Sequence, residues 1–371
     1  MGLTGTPSLL NLGIDMVNMY RAKAIVLFLL AACALPARAD EPLGIGLEGF
    51  PYPHDVRYLP LLMNGEPVRM AYMDVAPTGT ANGRTALLLH GRHFFGEYWK
   101  DTIAFLAAAG WRVVVPDQIG FGKSSKPDVA LSFHGLARNT RALLDSLGVG
   151  RADLIAHSMG CMLAVRFALM YPEAADRLVL EGPIGLEDYR LKVPYSTREE
   201  LIAASRAQTR ESIERFFRGY FVHWQERFQV YPDVAWRWTL GPEAERLHRV
   251  SAHSYAMAYE QPVVYELARL RARTLIVVGE RDRSAIGRNL VTPEIRETLG
   301  RLPELAHEAC EVIADCTAVT LNETGHIPHL ETPDRFHAVL FSFLALPPGG
   351  SLDSGFSPAR PASTKMNATP R

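Results

Sequence analysis

The tightest constraint on what this chain can fold into is one junction. Asp153-Leu154-Ile155-Ala156-His157 is a mostly apolar run with the length of a buried strand, and Ser158 ends it. A helix-forming run, Met162 to Met170, follows almost at once. A strand that passes into a helix without a linker needs a very tight turn, which strains Ser158 and lifts its hydroxyl above the sheet edge. Gly160 has no Cβ, so a helix can start close to the strand. Ala156 fills the other small position, at no cost if its φ stays negative.

The same alternation recurs along the chain. Thr85–His90, Arg112–Pro116, Arg177–Glu181, Thr274–Gly279 and Ala318–Leu321 are short, mostly apolar runs suited to strands covered on both faces. Helical segments lie between them: Tyr98–Ala109, stopped by Gly110, and Gly135–Leu147; Asp334–Leu344 comes last. Short links between the two kinds of element imply an α/β fold with a mostly parallel, doubly wound sheet. Val56–Leu62 and Val68–Val75 flank Asn64-Gly65, a hairpin signal that predicts an antiparallel edge.

The alternation breaks between Gly185 and Arg269, where helical stretches replace strands. Trp224, Trp236 and Trp238 fall there with Phe216, Phe217, Tyr220, Phe221, Phe228 and Tyr231. An inserted helical cap with its own aromatic core is expected, some of its rings lining a pocket. Tyr255, Tyr259 and Tyr265 recur near helical spacing, as packing residues do. The expected organisation is a signal region over 1–39, a first core part over 40–184 and the cap over 185–270. A second core part spans 271–346, with a helical insert from about Pro293 to Ala314, and 347–371 is a Pro-, Ser- and Gly-rich tail expected to be disordered.

Met19-Tyr20-Arg21-Ala22-Lys23 is basic, Ala24–Leu35 is apolar but short for a bilayer span, and Ala37-Arg38-Ala39 has the small-x-small pattern of a cleavage site. Together they predict export to the periplasm or beyond, with Met16 or Met19 as an alternative start. Leu30-Ala31-Ala32-Cys33 also resembles a lipobox, so a lipid anchor at Cys33 is the alternative to soluble release. Cys161 reads as a small core residue. Cys310 and Cys316 stand six apart in a region that export would oxidise, which is compatible with a disulfide. No further Cys or His pair completes a metal site, and a net charge of −1 gives no sign of a nucleic-acid partner.

Ser158, Asp282 and His326 each lie just past the C-terminal end of an expected strand, the edge where open α/β sheets build their sites. A serine hydroxyl is a weak nucleophile that needs a base, and a histidine base needs an orienting acid. With His90-Gly91, Asp117 to Ser125, the Ser158 turn, Gly279-Glu280-Arg281-Asp282 and Gly325-His326-Ile327-Pro328 in this order, the chain resembles the α/β-hydrolase superfamily over residues 55–346. The resemblance is to esterase- and lipase-like serine hydrolases with a helical cap, of an exported bacterial type. It implies Ser158 as nucleophile, His326 as base and Asp282 as its orienting acid, with no cofactor and no metal. It implies an oxyanion hole from the backbone N–H groups of Arg92 and Met159, each donor worth on the order of 3 kcal/mol. The Arg92 side chain is expected to salt-bridge elsewhere. His93 and Phe94 are candidate substrate contacts.

Rivals exist for each role. Glu181 also ends a strand and competes with Asp282, while Glu280 reads as structural and Asp117 as a residue that shapes its loop. His329 competes with His326 and reads as packing or rim; His157 reads as packing beside the sheet. A serine in place of a carboxylate argues against dehalogenase or epoxide-hydrolase chemistry. The leading expectation is an exported serine hydrolase acting on a carboxylic ester or related small acyl compound. Lactone, amide or C–C bond hydrolysis and acyl transfer use the same machinery, and a non-catalytic binding protein on this fold is the third reading.

Overall fold

The computed structural model describes residues 41–63 and 65–347. The signal region, Cys33, Asn64 and positions 348–371 of the tail lie outside the described residues. The chain divides into two compact units, Met1–Pro42 and Leu43–Arg371. Only Glu41 and Pro42 of the first are described.

The second unit carries eight strands: β1 (Val56–Met63), β2 (Glu66–Val75), β3 (Thr85–Leu89), β4 (Arg112–Pro116), β5 (Ala152–His157), β6 (Ala175–Glu181), β7 (Arg273–Gly279) and β8 (Cys316–Leu321). They form one sheet in the order β1-β2-β4-β3-β5-β6-β7-β8. The predicted hairpin is its antiparallel edge, and β2 also meets β4 antiparallel; every later pairing is parallel. At the hairpin turn Gly65 adopts φ +85°, a conformation open to glycine.

The helices are α1 (Lys100–Ala108), α2 (Phe133–Ser146), α3 (Met159–Met170), α4 (Arg198–Arg206), α5 (Arg210–Arg218), α6 (Val230–Thr239), α7 (Ala244–Glu260), α8 (Pro293–Arg296), α9 (Leu302–Val312), α10 (Pro328–Glu331) and α11 (Pro333–Ala345). The period of two along the strands decides which face each helix covers. Leu87, Leu89, Leu154, Ala156, Leu178, Leu180, Ile276 and Val278 pack with residues of α2, α3 and α9. Their neighbours Ala86, Leu88, Ile155, Val179, Leu275 and Val277 pack on the other face with residues of α1 and α11. Alternate side chains thus feed two cores, so the strands look continuously apolar in the sequence.

Helices α4 to α7 are inserted between β6 and β7. Their aromatic residues differ from expectation in one respect. Phe217, Phe221, Phe228 and Tyr231, together with Ile213, do not form a core of their own but join Phe94, Tyr98 and the sheet residues of the α1 and α11 face. Helices of nine or ten residues are too short to enclose a core and bury their apolar stripe on the layer beneath. Cys310 on α9 and Cys316 on β8 form a disulfide, and Cys161 is a buried free thiol. Among the described residues no helix is long and apolar enough to cross a membrane.

Candidate active site

The loops at the C-terminal ends of β3, β5, β7 and β8 bring together residues far apart in the chain. Ser158 sits between β5 and α3 with φ +56° and ψ −120°, a strained conformation for a residue with a Cβ. The turn can be this tight because a Cβ on Gly160 would collide with the carbonyl oxygens of Leu89 and His90. Ala156 takes no positive φ and remains in register with β3 and β6, so its methyl group is accommodated.

Ser158 Oγ lies 2.9 Å from His326 Nε2, and His326 Nδ1 lies 2.8 Å from Asp282 Oδ2. Asp282 Oδ1 accepts a hydrogen bond from the Ser284 N–H at 2.9 Å. All three side chains are buried. Burial alone would raise the Asp282 carboxyl, but the facing His326 ring and the Ser284 donor outweigh it and hold the pKa below its usual value. Gly182, at φ +50°, closes the back of this chain of groups. A Cβ there would sit 2.7 Å from His326 O and 3.0 Å from His326 Nδ1.

The structure separates the rivals. Glu181 accepts from the His329 backbone N–H at 2.7 Å and pairs with His329 Nδ1 at 2.8 Å, so it does not reach His326. His329 is fully buried and stacks on Trp99 with ring centroids 4.1 Å apart; the rim position is excluded. Asp117 accepts from the N–H groups of Gly96 and Lys123 and from the Tyr52 hydroxyl, each at 2.7 Å, which fixes its loop as expected. Glu280 accepts from the Glu323 N–H at 3.0 Å, a loop contact.

Among the described residues the backbone N–H groups of Arg92 and Met159 have no protein acceptor. Met159 opens α3, where the first N–H groups have no partner within the helix and the helix dipole favours negative charge. The Arg92 loop lies against the serine: a Cβ built on Gly91 would be 3.2 Å from Ser158 Cβ. The expected salt bridge of the Arg92 side chain is absent among the described residues. Its guanidinium instead donates to Ser254 Oγ, Ser251 O and Ser251 Oγ on α7. The inserted helix lies close enough to reach it with neutral acceptors. His93 and Phe94 line, with Arg92, a cavity of about 130 Å³ beneath the inserted helices.

Several supporting residues have no signature in the sequence. His157 reaches the His326 carbonyl and the Tyr98 hydroxyl, and Tyr220 places its ring 4.9 Å from the His326 ring. The Tyr220 carbonyl accepts the His326 N–H at 2.7 Å. Glu331 Oε2 accepts from Gly325 N at 2.6 Å, and its Oε1 accepts from the N–H groups of Val222 and His223, both at 2.7 Å. The loop carrying His326 is therefore tied to the inserted segment. Among the described residues no group of three or more His, Cys, Asp or Glu side chains is arranged to hold a metal ion.

Comparison with known proteins agrees with this architecture. A solved structure of a probable hydrolytic enzyme from Pseudomonas aeruginosa PAO1 is 42% identical, covers 83% of this chain and 100% of its own, and superposes with a TM-score of 0.81. Over 130 residues the chain is 39% identical to a 2-hydroxy-6-oxononadienedioate/2-hydroxy-6-oxononatrienedioate hydrolase of Burkholderia vietnamiensis, covering 34% of this chain and 44% of that one. Over 109 residues it is 38% identical to a 2-hydroxy-6-oxo-6-phenylhexa-2,4-dienoate hydrolase of Burkholderia cepacia, covering 28% and 38%. The chain thus spans less than half the length of these curated relatives. The model of the alpha/beta hydrolase family matches residues 86–339, more than half of the sequence and all of the strands from β4 to β8, and the chain belongs to that family.

Proposed function

We propose that the chain is a serine hydrolase in which Ser158 attacks a carbonyl carbon, His326 takes the serine proton and Asp282 holds the imidazole in its productive tautomer. The hydrogen-bonded chain Ser158–His326–Asp282 carries this reading. Attack forms a tetrahedral oxyanion, which the N–H groups of Arg92 and Met159 would receive. Collapse breaks the bond to the leaving group, which takes the proton from His326. Water, deprotonated by the same histidine, then hydrolyses the acyl-enzyme and regenerates Ser158.

The curated relatives favour a carbon–carbon bond as the one broken. A 2-hydroxy-6-oxo-dienoate contains a ketone and a carboxylate but no ester or amide, so its hydrolysis must cut beside the ketone carbonyl. Because C5 of the dienoate is vinylic, the 2-hydroxyl must first tautomerise to a ketone, its proton passing to C5; the C5–C6 bond then breaks to a conjugated dienolate that takes its proton from His326 on oxygen. The acyl-enzyme is then hydrolysed as above. Carboxylic ester hydrolysis, the leading expectation from the sequence alone, uses the same groups and would be a secondary activity.

Export is the compartment we propose, supported by the signal-like segment before Asp40 and by the Cys310–Cys316 disulfide. The intact mass of the mature protein distinguishes cleavage after Ala39 from lipidation at Cys33.

The deciding assay follows loss of the visible absorbance of a 2-hydroxy-6-oxo-dienoate beside release of nitrophenol from short aryl esters. Ser158→Ala should abolish both while the protein remains folded. Faster turnover of the dienoate supports the carbon–carbon reading, and turnover of esters alone replaces it with ester hydrolysis. No turnover, with no fluorophosphonate adduct on Ser158, refutes the serine-hydrolase assignment.

A further inference from the structure

Tyr98 stands on a single 3-10 turn, Gly96–Trp99, just before α1, and is buried. Its hydroxyl takes part in two hydrogen bonds. The Gly91 N–H donates to Tyr98 Oη at 3.0 Å, and Oη lies 3.2 Å from His157 Nδ1. The neutral His157 ring keeps its proton on Nε2, which faces the His326 carbonyl at 3.1 Å, so Nδ1 is bare. The Tyr98 O–H therefore donates to Nδ1. Burial, with Glu181 nearby, holds the phenol pKa well above its usual value, so this proton is present at neutral pH.

The three contacts form one directed chain: Gly91 N–H to Tyr98 Oη, Tyr98 O–H to His157 Nδ1, His157 Nε2–H to His326 O. It starts in the turn that carries Arg92, the expected oxyanion donor. It ends on the backbone of His326, the proposed base.

Gly91 shows what the hydroxyl does. Its N–H is buried and has no other acceptor among the described residues. A buried N–H without a partner is strongly disfavoured. On the side of the serine the turn has no slack, because a Cβ on Gly91 would sit 2.8 Å from His157 Nδ1 and 3.2 Å from Ser158 Cβ. The Gly91 carbonyl accepts from His90 Nδ1 at 2.8 Å and from the Phe94 N–H at 3.2 Å. That carbonyl and the Arg92 N–H belong to one planar peptide unit. The direction of the Arg92 N–H is thus set by whatever holds the two polar groups of Gly91, and Tyr98 is what holds the first.

Packing alone does not call for a hydroxyl here. The Tyr98 ring stacks on Phe94 at 4.8 Å and meets His329 edge to face at 4.6 Å. A phenylalanine would keep both contacts without burying a polar atom.

We propose that Tyr98 is a positioning residue for the reaction: its hydroxyl fixes Gly91, and through it the Arg92 N–H that receives the oxyanion, and ties that donor to the loop of the base. The assignment deepens the serine-hydrolase reading and rests on it for the chemistry. The tie itself can be measured apart from that reading.

Tyr98→Phe removes one oxygen and keeps the ring. A fluorophosphonate probes the oxyanion hole without a known substrate, because its phosphoryl oxygen takes the place of the oxyanion as Ser158 attacks. The limiting rate of Ser158 phosphonylation should fall about 10- to 100-fold, with the half-saturating concentration nearly unchanged. The kcat for nitrophenyl acetate should fall in parallel. Exchange of the Gly91 amide with solvent deuterium should quicken at least about tenfold. A lowered Tm with full rates in the folded fraction would reduce Tyr98 to a packing residue and overturn the proposal, as would unchanged exchange at Gly91. If the wild-type chain takes up no fluorophosphonate and exchange at Gly91 still quickens in the variant, the tie stands and the hydrolase reading falls.

Discussion

His157 Nε2 lies 3.1 Å from the backbone carbonyl of His326, with its Nδ1 3.2 Å from the Tyr98 hydroxyl. A carbonyl can only accept, so Nε2 carries the proton and Nδ1 accepts from Tyr98. Burial keeps this ring neutral, with a pKa well below the usual value. The residue directly before the serine therefore braces the residue proposed as its base, and β5 fixes both ends of the Ser158–His326 contact.

That brace makes His157 a positioning residue. His157→Leu fills the space but removes the donor, and the His326 loop should loosen. The expected result is a fall in kcat of about 10- to 100-fold with KM nearly unchanged, since a displacement of about 1 Å costs that much. A purely structural role would lower Tm and leave the kcat of the folded fraction intact. Steady-state kinetics on material of verified Tm separates the two.

Asp282→Asn keeps the shape of the acid and removes its charge. The amide can donate to His326 Nδ1, which would place the imidazole proton on Nε2 and turn the base away from Ser158. Loss of about 10⁴ in kcat is expected, as for other triads of this geometry, with circular dichroism unchanged. If Glu181 served as the acid, Asp282→Asn would retain most activity.

The strands, the edge hairpin, the Ser158 turn and the choice of Asp282 over Glu181 are legible because each rests on local pattern or on order along the chain. Gly160 and Ala156 show this well: both are read from one tight turn whose geometry is set by immediate neighbours. The functions of His157, Tyr220 and Glu331 are not legible. Each acts on a partner over a hundred residues away, His326 for the first two and Val222 for the third, and one sequence carries no sign of that pairing. The partners of the Arg92 side chain are hidden for the same reason. Arginines usually find carboxylates, and only the fold shows that its neighbours are Ser251 and Ser254.

Glu181 and His329 form a fully buried pair beneath the site. Glu181→Ala leaves the His329 N–H and ring without an acceptor. Breaking one side of a buried pair costs about 3 kcal/mol or more, so a marked drop in urea midpoint is expected. Activity of the folded fraction should stay within about tenfold of wild type, in contrast to Asp282→Asn, because Glu181 does not touch His326. Loss of kcat at an unchanged midpoint would contradict the structural role.

His337 offers a pH test remote from the site. It is buried on α11, stacked on Phe105 at 4.5 Å, with Nε2 3.1 Å from Thr102 Oγ1. Burial and the nearby His329 pull its pKa from 6.5 down to about 4. The unfolded chain binds this proton first, so the contribution of His337 to stability is constant above about pH 6.5. It then declines as pH falls toward 4, where the folded state also takes up the proton, and levels off below. About 1.4 kcal/mol per pH unit over that window gives roughly 3 kcal/mol. His337→Gln keeps a partner for Thr102 and cannot titrate. Urea unfolding of both proteins from pH 7.5 to 4 should show the variant gaining on wild type by roughly this amount, nearly all of it below pH 6.5. A constant difference across the range would mean that His337 does not shift between the two states.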